Sequence, residues 1–413
     1  MFDEKIIKNI ISLFSIRMAG YLVPLITLPF LVKTLEPTGF GLLMFSTAII
    51  QYCIMFVNFG FDLSATQKIA QFGNDKDKVS EIFWNIIYVR IIVSIVSFFV
   101  VYVISLCVNE IYNSFSIISV LYISVLGSVF FPQWLFQGKE QLGVISIIRI
   151  VVQIMFIPLI FIFIKGSNDL KLAALFSSLP SLIVSILSFI IIKNRNWIKW
   201  KRPELNKMLL EIKDSYYLFL SNAAISLYTT SIPIILGFIS GPISVAIYVS
   251  AYKLVLAAQG IYSSFSNAFY PRINNILSKD ENKAKSLIKL LFKTQLTIGL
   301  STSILLYILS PYIIILLYGN EYMASIVIMR ILCTLPLIVA LSNLFGVQIL
   351  LTFGFKKEFF QVLILSSGVS LLVLLPLSYY FSEIGAAISV IITELLVTSL
   401  MFKTILRKNI GVF

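Results

Sequence analysis

Apolar runs long enough to cross a bilayer follow one another along almost the whole of this chain. A helix rises 1.5 Å per residue and the hydrocarbon core is about 30 Å thick, so about 20 apolar residues make one crossing. Twelve runs reach that length: 10–32, 42–61, 83–108, 114–134, 142–164, 170–192, 216–239, 243–269, 287–309, 323–351, 359–381 and 384–406. In lipid the backbone must satisfy its own polar groups, so each run is expected to be a helix. Of 413 residues, 59% are hydrophobic and 12% are charged. A soluble domain carries about twice that charged fraction. The expected fold class is all-α integral membrane, with about 12 transmembrane helices.

The Lys and Arg residues between the runs fix the orientation. Lys5 and Lys8 precede the first run, and Lys68, Lys76 and Lys78 follow the second. The middle connection, about 193–215, holds Lys193, Arg195, Lys199, Lys201, Arg202, Lys207 and Lys213. Arg272, Lys279, Lys283 and Lys285 follow the eighth run, Lys356 and Lys357 the tenth, and Lys403, Arg407 and Lys408 the last. The alternate connections hold little beyond Lys33, Lys165 and Lys171. Basic residues stay on the cytoplasmic side, so both termini are predicted cytoplasmic. The middle connection divides the runs six and six. Its Trp197 and Trp200 among basic residues predict an interfacial segment. We expect an N-terminal lobe, 1–200, and a C-terminal lobe, 201–413. An equal split is a common transporter design with a site between the halves.

The net charge of +13 follows from this loop bias and its attraction to anionic lipid headgroups, not from nucleic acid binding. The chain has no His, so no His metal site and no imidazole relay are expected. Cys53, Cys107 and Cys333 lie in or at the end of apolar runs and read as packing residues. No signal peptide, cofactor or metal is expected, and no P-loop motif occurs.

Charges inside the runs are the natural place to look for function. An ionisable residue at mid-membrane costs about 2.5–3.5 kcal/mol on insertion scales. Arg17, Arg90, Arg149, Lys253 and Arg330 fall within runs, against one clear acid, Glu394. Arg17, Arg90 and Arg149 each lie about seven residues past the cytoplasmic start of an odd-numbered helix, roughly 10 Å in. Together they would make a cationic tier near the cytoplasmic mouth. Lys253 and Glu394 fall near the midplane, and Arg330 nearer the external end. Snorkelling of the arginines and an ion pair between Lys253 and Glu394 are the structural alternatives. Five bases against one acid leave an excess that calls for an anion, and phosphate or diphosphate suits Arg and Lys donors.

Neutral polar residues say less. Tyr, Asn, Ser and Gln are spread too widely along the runs to single any out. Pro24, Pro29, Pro132, Pro158, Pro233 and Pro336 predict bends. Asp62 is expected to cap an interfacial helix beginning at Leu63.

Several stretches resemble the Wzx-type O-antigen flippases of the multidrug/oligosaccharidyl-lipid/polysaccharide exporter superfamily. They are Tyr21–Val32 leading into Leu35-Glu36-Pro37-Thr38-Gly39-Phe40-Gly41, Asn58–Thr66, Pro132-Gln133-Trp134-Leu135-Phe136-Gln137-Gly138, and Ala251-Tyr252-Lys253-Leu254 followed by Tyr270-Pro271-Arg272. The resemblance implies a MATE-like fold of two six-helix lobes around a central cationic cavity. It marks Pro24, Asp62 and Trp134 as motif positions and Arg17, Arg90 and Lys253 as cavity residues. Arg149 and Arg330 rest on depth alone. Glu394 resembles a recurrent acid of the last helix, in a coupling or counter-ion role. The implied substrate is an undecaprenyl-diphosphate-linked oligosaccharide repeat unit of O-antigen or capsular type. It would be moved from the cytoplasmic to the outer leaflet of a bacterial inner membrane by alternating access. The implied partners are that lipid-linked oligosaccharide, the lipid bilayer, and the polysaccharide polymerase and chain-length machinery. The rival within the superfamily is a MATE-type drug/cation antiporter, whose cavity would favour acids over bases. A membrane glycosyltransferase or polymerase would need paired acids on an external loop, and the external connections are too short to supply one.

Overall fold

A computed structural model of the chain describes residues 25–73, 75–277 and 280–411. Among these residues every regular element is helical. The first predicted run appears as α1 (Leu25–Thr34); its earlier part, with Arg17 and Pro24, lies outside the described residues. The second run lies in α2 (Glu36–Asn58), followed by the short α3 (Phe61–Phe72). The next is α4 (Lys76–Cys107). The fourth is divided among α5 (Asn109–Leu121), α6 (Ile123–Val129) and α7 (Gln133–Gly138), with a 45° bend after α5. Then come α8 (Leu142–Phe163) and α9 (Leu170–Asn194). The seventh run is α10 (Leu205–Thr229) and α11 (Ser231–Ile239), bent by 41°. Pro233 has no N–H to give to the carbonyl of Thr229, which is where the helix breaks.

Beyond these lie α12 (Gly241–Leu277), α13 (Glu281–Tyr318), α14 (Ala324–Leu332) and α15 (Leu335–Asn343), the last continuing into a π-helical turn, Leu344–Leu351. Several helices start well before their apolar runs. Helix hydrogen bonds do not stop at the lipid boundary; a cap stops them. At α4 the cap is Asp75, whose carboxylate accepts from the backbone N–H groups of Asp77 and Lys78. Those bonds, the one from Lys78 foremost, hold Asp75 below the usual carboxylate range.

The last two predicted runs share one continuous element, α16 (Lys356–Arg407). Its 52 residues would measure roughly 78 Å if straight, far more than a bilayer. Ser382 breaks it, with φ 47° and ψ −128°. The chain doubles back there: Lys408, just past its end, pairs with Glu358 near its start at 2.6 Å. The two halves, 356–381 and 383–407, therefore form an antiparallel hairpin and match the two predicted runs. Gly385 makes the turn possible, since a Cβ there would lie 1.9 Å from the carbonyl oxygen of Leu377.

The chain divides into two compact units. The first holds 34–223 and the second holds 25–33 with 224–411. In the first, Phe61, Ile69, Phe83, Trp134 and Phe136 are fully buried in one apolar core. In the second, the core gathers Ile288, Leu344, Ile349, Leu363 and Met401. α1 belongs to the second unit: Lys33 Nζ donates to the carbonyl of Leu316, and Tyr322 Oη to that of Val32. Among the described residues eight helical segments are long and apolar enough to cross a membrane, with the α16 hairpin counted once, and ten if each bent pair counts as one. The exposed surface is rich in Leu, Ile, Phe and Val, as a lipid-facing surface is. Cys53 and Cys333 are buried, Cys107 is exposed, and all three are free thiols.

The hairpin turn gives a paired test. Gly385→Ala should lower the melting midpoint of the detergent-solubilised protein, with overpacking costing about 1–3 kcal/mol. Gly368→Ala, in the same element with open space around it, should leave the midpoint unchanged or slightly raised. Equal midpoints for the two variants would contradict the tight turn.

Candidate functional site

Two of the sequence motifs, seventy residues apart, meet in the first unit. The first starts where α2 ends. Phe59 and Gly60 both adopt left-handed backbone, with φ 40° and 76°. Gly60 admits no side chain, because a Cβ would lie 2.9 Å from both Leu218 Cβ and the backbone nitrogen of Phe219. The turn starts α3 at Phe61, two residues before the position expected from sequence. Asp62 is therefore not the cap; Gly60 holds that position. Asp62 sits in the first turn, where the helix dipole favours a carboxylate. Its partner is Arg90 of α4, whose Nη2 donates to Oδ1 at 3.1 Å.

Arg90 is buried completely. Its Nη1 donates to the carbonyls of Ser128 at 3.3 Å and Phe131 at 3.2 Å. These carbonyls lie at the break between α6 and α7. Pro132 there lacks the N–H that would normally reach back to Ser128. Arg90 thus supplies donors that the broken helix lacks, and it fixes Asp62 at the same time. α7 then packs on α3, with Thr66 Oγ1 within 3.4 Å of the carbonyl of Trp134. Trp134 is itself fully buried against Phe83, 5.6 Å between ring centroids, and is a core residue.

Beside this clamp lies a cavity of about 380 Å³, bounded by seven helices of the first unit, α2, α3 and α5 to α9. Its polar lining follows the helical repeat, because residues four apart share a face. Thr47 and Gln51 come from α2, Ser124 and Ser128 from α6, Arg149 and Gln153 from α8, and Ser177 and Ser181 from α9. Asn58, Asp62 and Gln133 complete it. Among the described residues Arg149 has no carboxylate partner; its guanidinium lies 5.9 Å from the ring of Phe131, which also lines the cavity. The serines give their O–H to carbonyls of their own helices: Ser124 to Leu121, Ser177 to Ala173 and Ser181 to Ser178, each at 2.7 Å. Their oxygens remain acceptors. The side-chain amides of Gln51, Gln133 and Gln153 make no hydrogen bond to the protein among the described residues. Asp62 is neutralised by Arg90, so Arg149 gives the chamber its net positive charge. Arg90 stands behind the wall and does not line it.

The remaining candidates lie in the second unit. Lys253 on α12 and Glu394 on α16 are half-buried, and no ion pair joins them among the described residues. Glu394 is within electrostatic reach of Tyr228 and Tyr252. Tyr252 in turn stacks on the buried Tyr248, at 5.5 Å. Arg330 is exposed; its Nε donates to Ser310 Oγ at 3.2 Å and its guanidinium covers the ring of Tyr307. Arg17 and Pro24 fall outside the described residues. Among the described residues no group of three His, Cys, Asp or Glu side chains could hold a metal.

The basic middle connection is fastened to the first unit. Trp84 Nε1 donates to the carbonyl of Lys199, and the backbone N–H of Glu204 to Asn85 Oδ1, each at 3.0 Å. Lys207 pairs with Glu81 and Glu204, and Lys68 of α3 with Glu211 and Asp214 of α10. Trp200 lies 4.4 Å from Trp84, centroid to centroid. This polar layer marks one end of the unit as facing water.

Of the lining residues, sequence reading singled out only Arg149 and Asp62. The missed signal was the spacing of polar residues within single apolar helices, such as Gln51 four after Thr47 and Gln153 four after Arg149. The likenesses to known proteins agree with this architecture. The chain is 38% identical to a protein of Escherichia coli (strain K12) named as an O-antigen transporter, over 97% of both chains. Its fold is similar to that of the lipid II flippase MurJ in an inward closed conformation, with TM-score 0.77, 12% identity, and 97% of this chain and 87% of that one covered. It is also similar to an inward-facing multidrug resistance MATE family transporter of the MOP superfamily, with TM-score 0.69, 14% identity and coverage of 95% and 98%. The model of the family described as polysaccharide biosynthesis protein matches residues 6–277, and the chain belongs to that family.

Proposed function

We propose that this protein is a flippase for lipid-linked polysaccharide repeat units in the bacterial cytoplasmic membrane, which it crosses many times. Its substrate is an undecaprenyl-diphosphate-linked oligosaccharide of O-antigen or capsular type. The observation that carries this reading is Arg149, a cation without a carboxylate partner among the described residues, in a chamber whose other polar lining is amides, hydroxyls and the Arg90-paired Asp62. An uncompensated guanidinium in a membrane protein needs an anion, and a diphosphate offers it bidentate acceptors. The name of the Escherichia coli relative and the fold shared with a lipid II flippase support the same reading. A drug/cation antiporter would need a free acid in this chamber, and Asp62 is held by Arg90.

The remaining roles belong to the same proposal. Two lobes, 1–200 and 201–413, with cytoplasmic termini, alternate access to a cavity while the lipid tail stays in the bilayer. Lys253 and, by its motif, Arg17 add to the anion path. Glu394, half-buried within electrostatic reach of two tyrosines and free of an ion pair among the described residues, is the coupling or counter-ion group. Polymerase and chain-length proteins receive the exported unit. The membrane potential assists export, because a charge crossing 100 mV is worth about 2.3 kcal/mol and a diphosphate carries two or more.

The test is to delete the gene in its host and complement with variants, measuring surface polymer and the leaflet in which lipid-linked oligosaccharide accumulates. Arg149→Ala should trap repeat units on the cytoplasmic leaflet and cut surface polymer at least about tenfold, the loss expected from one charge-assisted contact of 1.5–3 kcal/mol. Protein level should stay normal, and Arg149→Lys should restore part of the export. Wild-type polymer from Arg149→Ala would sink the anion assignment.

Arg90→Ala should act differently. It leaves two carbonyls and a carboxylate without donors, at a cost of about 3–5 kcal/mol, so protein should be lost from the membrane. Full-length, normally abundant Arg90→Ala protein with a selective loss of export would instead make Arg90 a substrate contact. Glu394→Gln should retain the substrate but export it slowly. Unimpaired export by that variant would remove Glu394 from the mechanism.

A further inference from the structure

We infer that Gln51, Gln133 and Gln153 form a sugar-reading subsite, which binds a neutral, polyhydroxylated ring attached directly to the diphosphate held by Arg149. The inference rests on the flippase reading for the identity of the anion, and it assigns specificity to residues that the reading leaves without a role.

The three glutamines come from three different helices, α2, α7 and α8, and converge on one cavity. Membrane helices do not carry free carboxamides without cost, since each brings two donors and an acceptor that must be satisfied. The serines of the same wall meet that demand by bonding their own helices, as described above. The three glutamines make no such bond among the described residues. Their donors and acceptors are left for whatever fills the chamber.

The chemistry of that occupant follows from the lining. A carboxamide presents donor and acceptor side by side, which matches adjacent hydroxyls of a sugar ring. The serine oxygens, with their hydrogens already spent, accept from further hydroxyls. The aromatic lining is limited to Phe131, whose ring is already faced by Arg149, so no stacking platform for a nucleobase is offered. Gln153 lies one helical turn from Arg149, so their side chains reach neighbouring groups of one ligand, about 5–6 Å apart at Cβ. A group bonded to Arg149 as a diphosphate would therefore present its first sugar to Gln153. The three carboxamides and the serine oxygens are uncharged and offer no counter-charge to a uronate or another acidic ring, so the sugar selected is neutral.

Binding to the full chain in detergent, with two defined probes, tests this. One probe is a bare polyprenyl diphosphate; the other is the same lipid bearing a single neutral hexose. The wild-type protein should bind the hexose-bearing probe at least about tenfold more tightly, as expected of several hydrogen bonds worth 0.5–1.5 kcal/mol each. Gln51→Leu, Gln133→Leu and Gln153→Leu should each reduce that ratio about 2–10-fold while affinity for the bare probe holds, which also shows that the variant is folded. The shorter Gln153→Asn should fall between. Arg149→Ala should weaken both probes alike.

If the glutamine variants leave the ratio unchanged, or if wild type binds both probes equally, the subsite is wrong and the flippase reading stands. A wild-type protein that binds neither probe overturns both.

Discussion

The first unit depends on one ion pair with a buried cation. Arg90 is fully buried within the apolar helix α4, where an unpaired charge would cost several kcal/mol, and its partner Asp62 lies on the cavity wall. Arg90 Nη2 is satisfied by Asp62 and Nη1 by the carbonyls of Ser128 and Phe131, while Nε is buried with no hydrogen-bond partner among the described residues. The guanidinium therefore joins the start of α3 to the break between α6 and α7. Without it the break would expose carbonyls to an interior that offers no water. Pro132 creates the need and Arg90 meets it from a different helix, forty-two residues earlier in the sequence.

This clamp has a consequence for charge. By consuming Arg90 and Asp62 together it removes both from the electrostatics of the adjacent cavity. Arg149 then acts alone, against a wall of amides and hydroxyls. A cavity with two free arginines and a free aspartate would be a different chamber, hospitable to cations as well as anions. On the function proposed above, this salt bridge is what leaves the chamber without a free acid for a cation.

Backbone geometry positions the same site. The left-handed pair Phe59 and Gly60 ends α2 immediately after Asn58 and aims Asp62 toward α4. Gly60 also lets α10 approach, and Phe59 stacks on Phe219 with centroids 4.3 Å apart. The ion pairs of Lys68 with Glu211 and Asp214 hold the same contact at its watery end. The stretch Asn58–Thr66 thus serves as a joint, and Pro132–Gly138 is the piece it closes on. These are two of the stretches that carried the family resemblance.

Much of the fold was legible in the sequence. Apolar length sets the helices, since lipid leaves the backbone no alternative, and each run from 42–61 onward falls on a described helix. The two short runs at the end were legible as separate spans because 52 residues cannot cross once. Helix starts were not legible, because caps and the polar first turns extend helices past the membrane boundary. The depth argument found Arg149 and Arg90 but gave them one role. Depth is a property of a single helix, whereas partnership is a property of two. Whether a buried arginine is spent on a carboxylate or left free for a ligand is settled by which helices pack together. The same holds for Gln51, Gln133 and Gln153, ordinary in their own helices and a constellation only when three helices meet. Sequence alone determined that this chain lives in lipid and carries an excess of positive charge there. Tertiary packing decided which of those charges are neutralised and which one faces an open chamber, because charge compensation acts over a few ångströms and recognises no order along the chain.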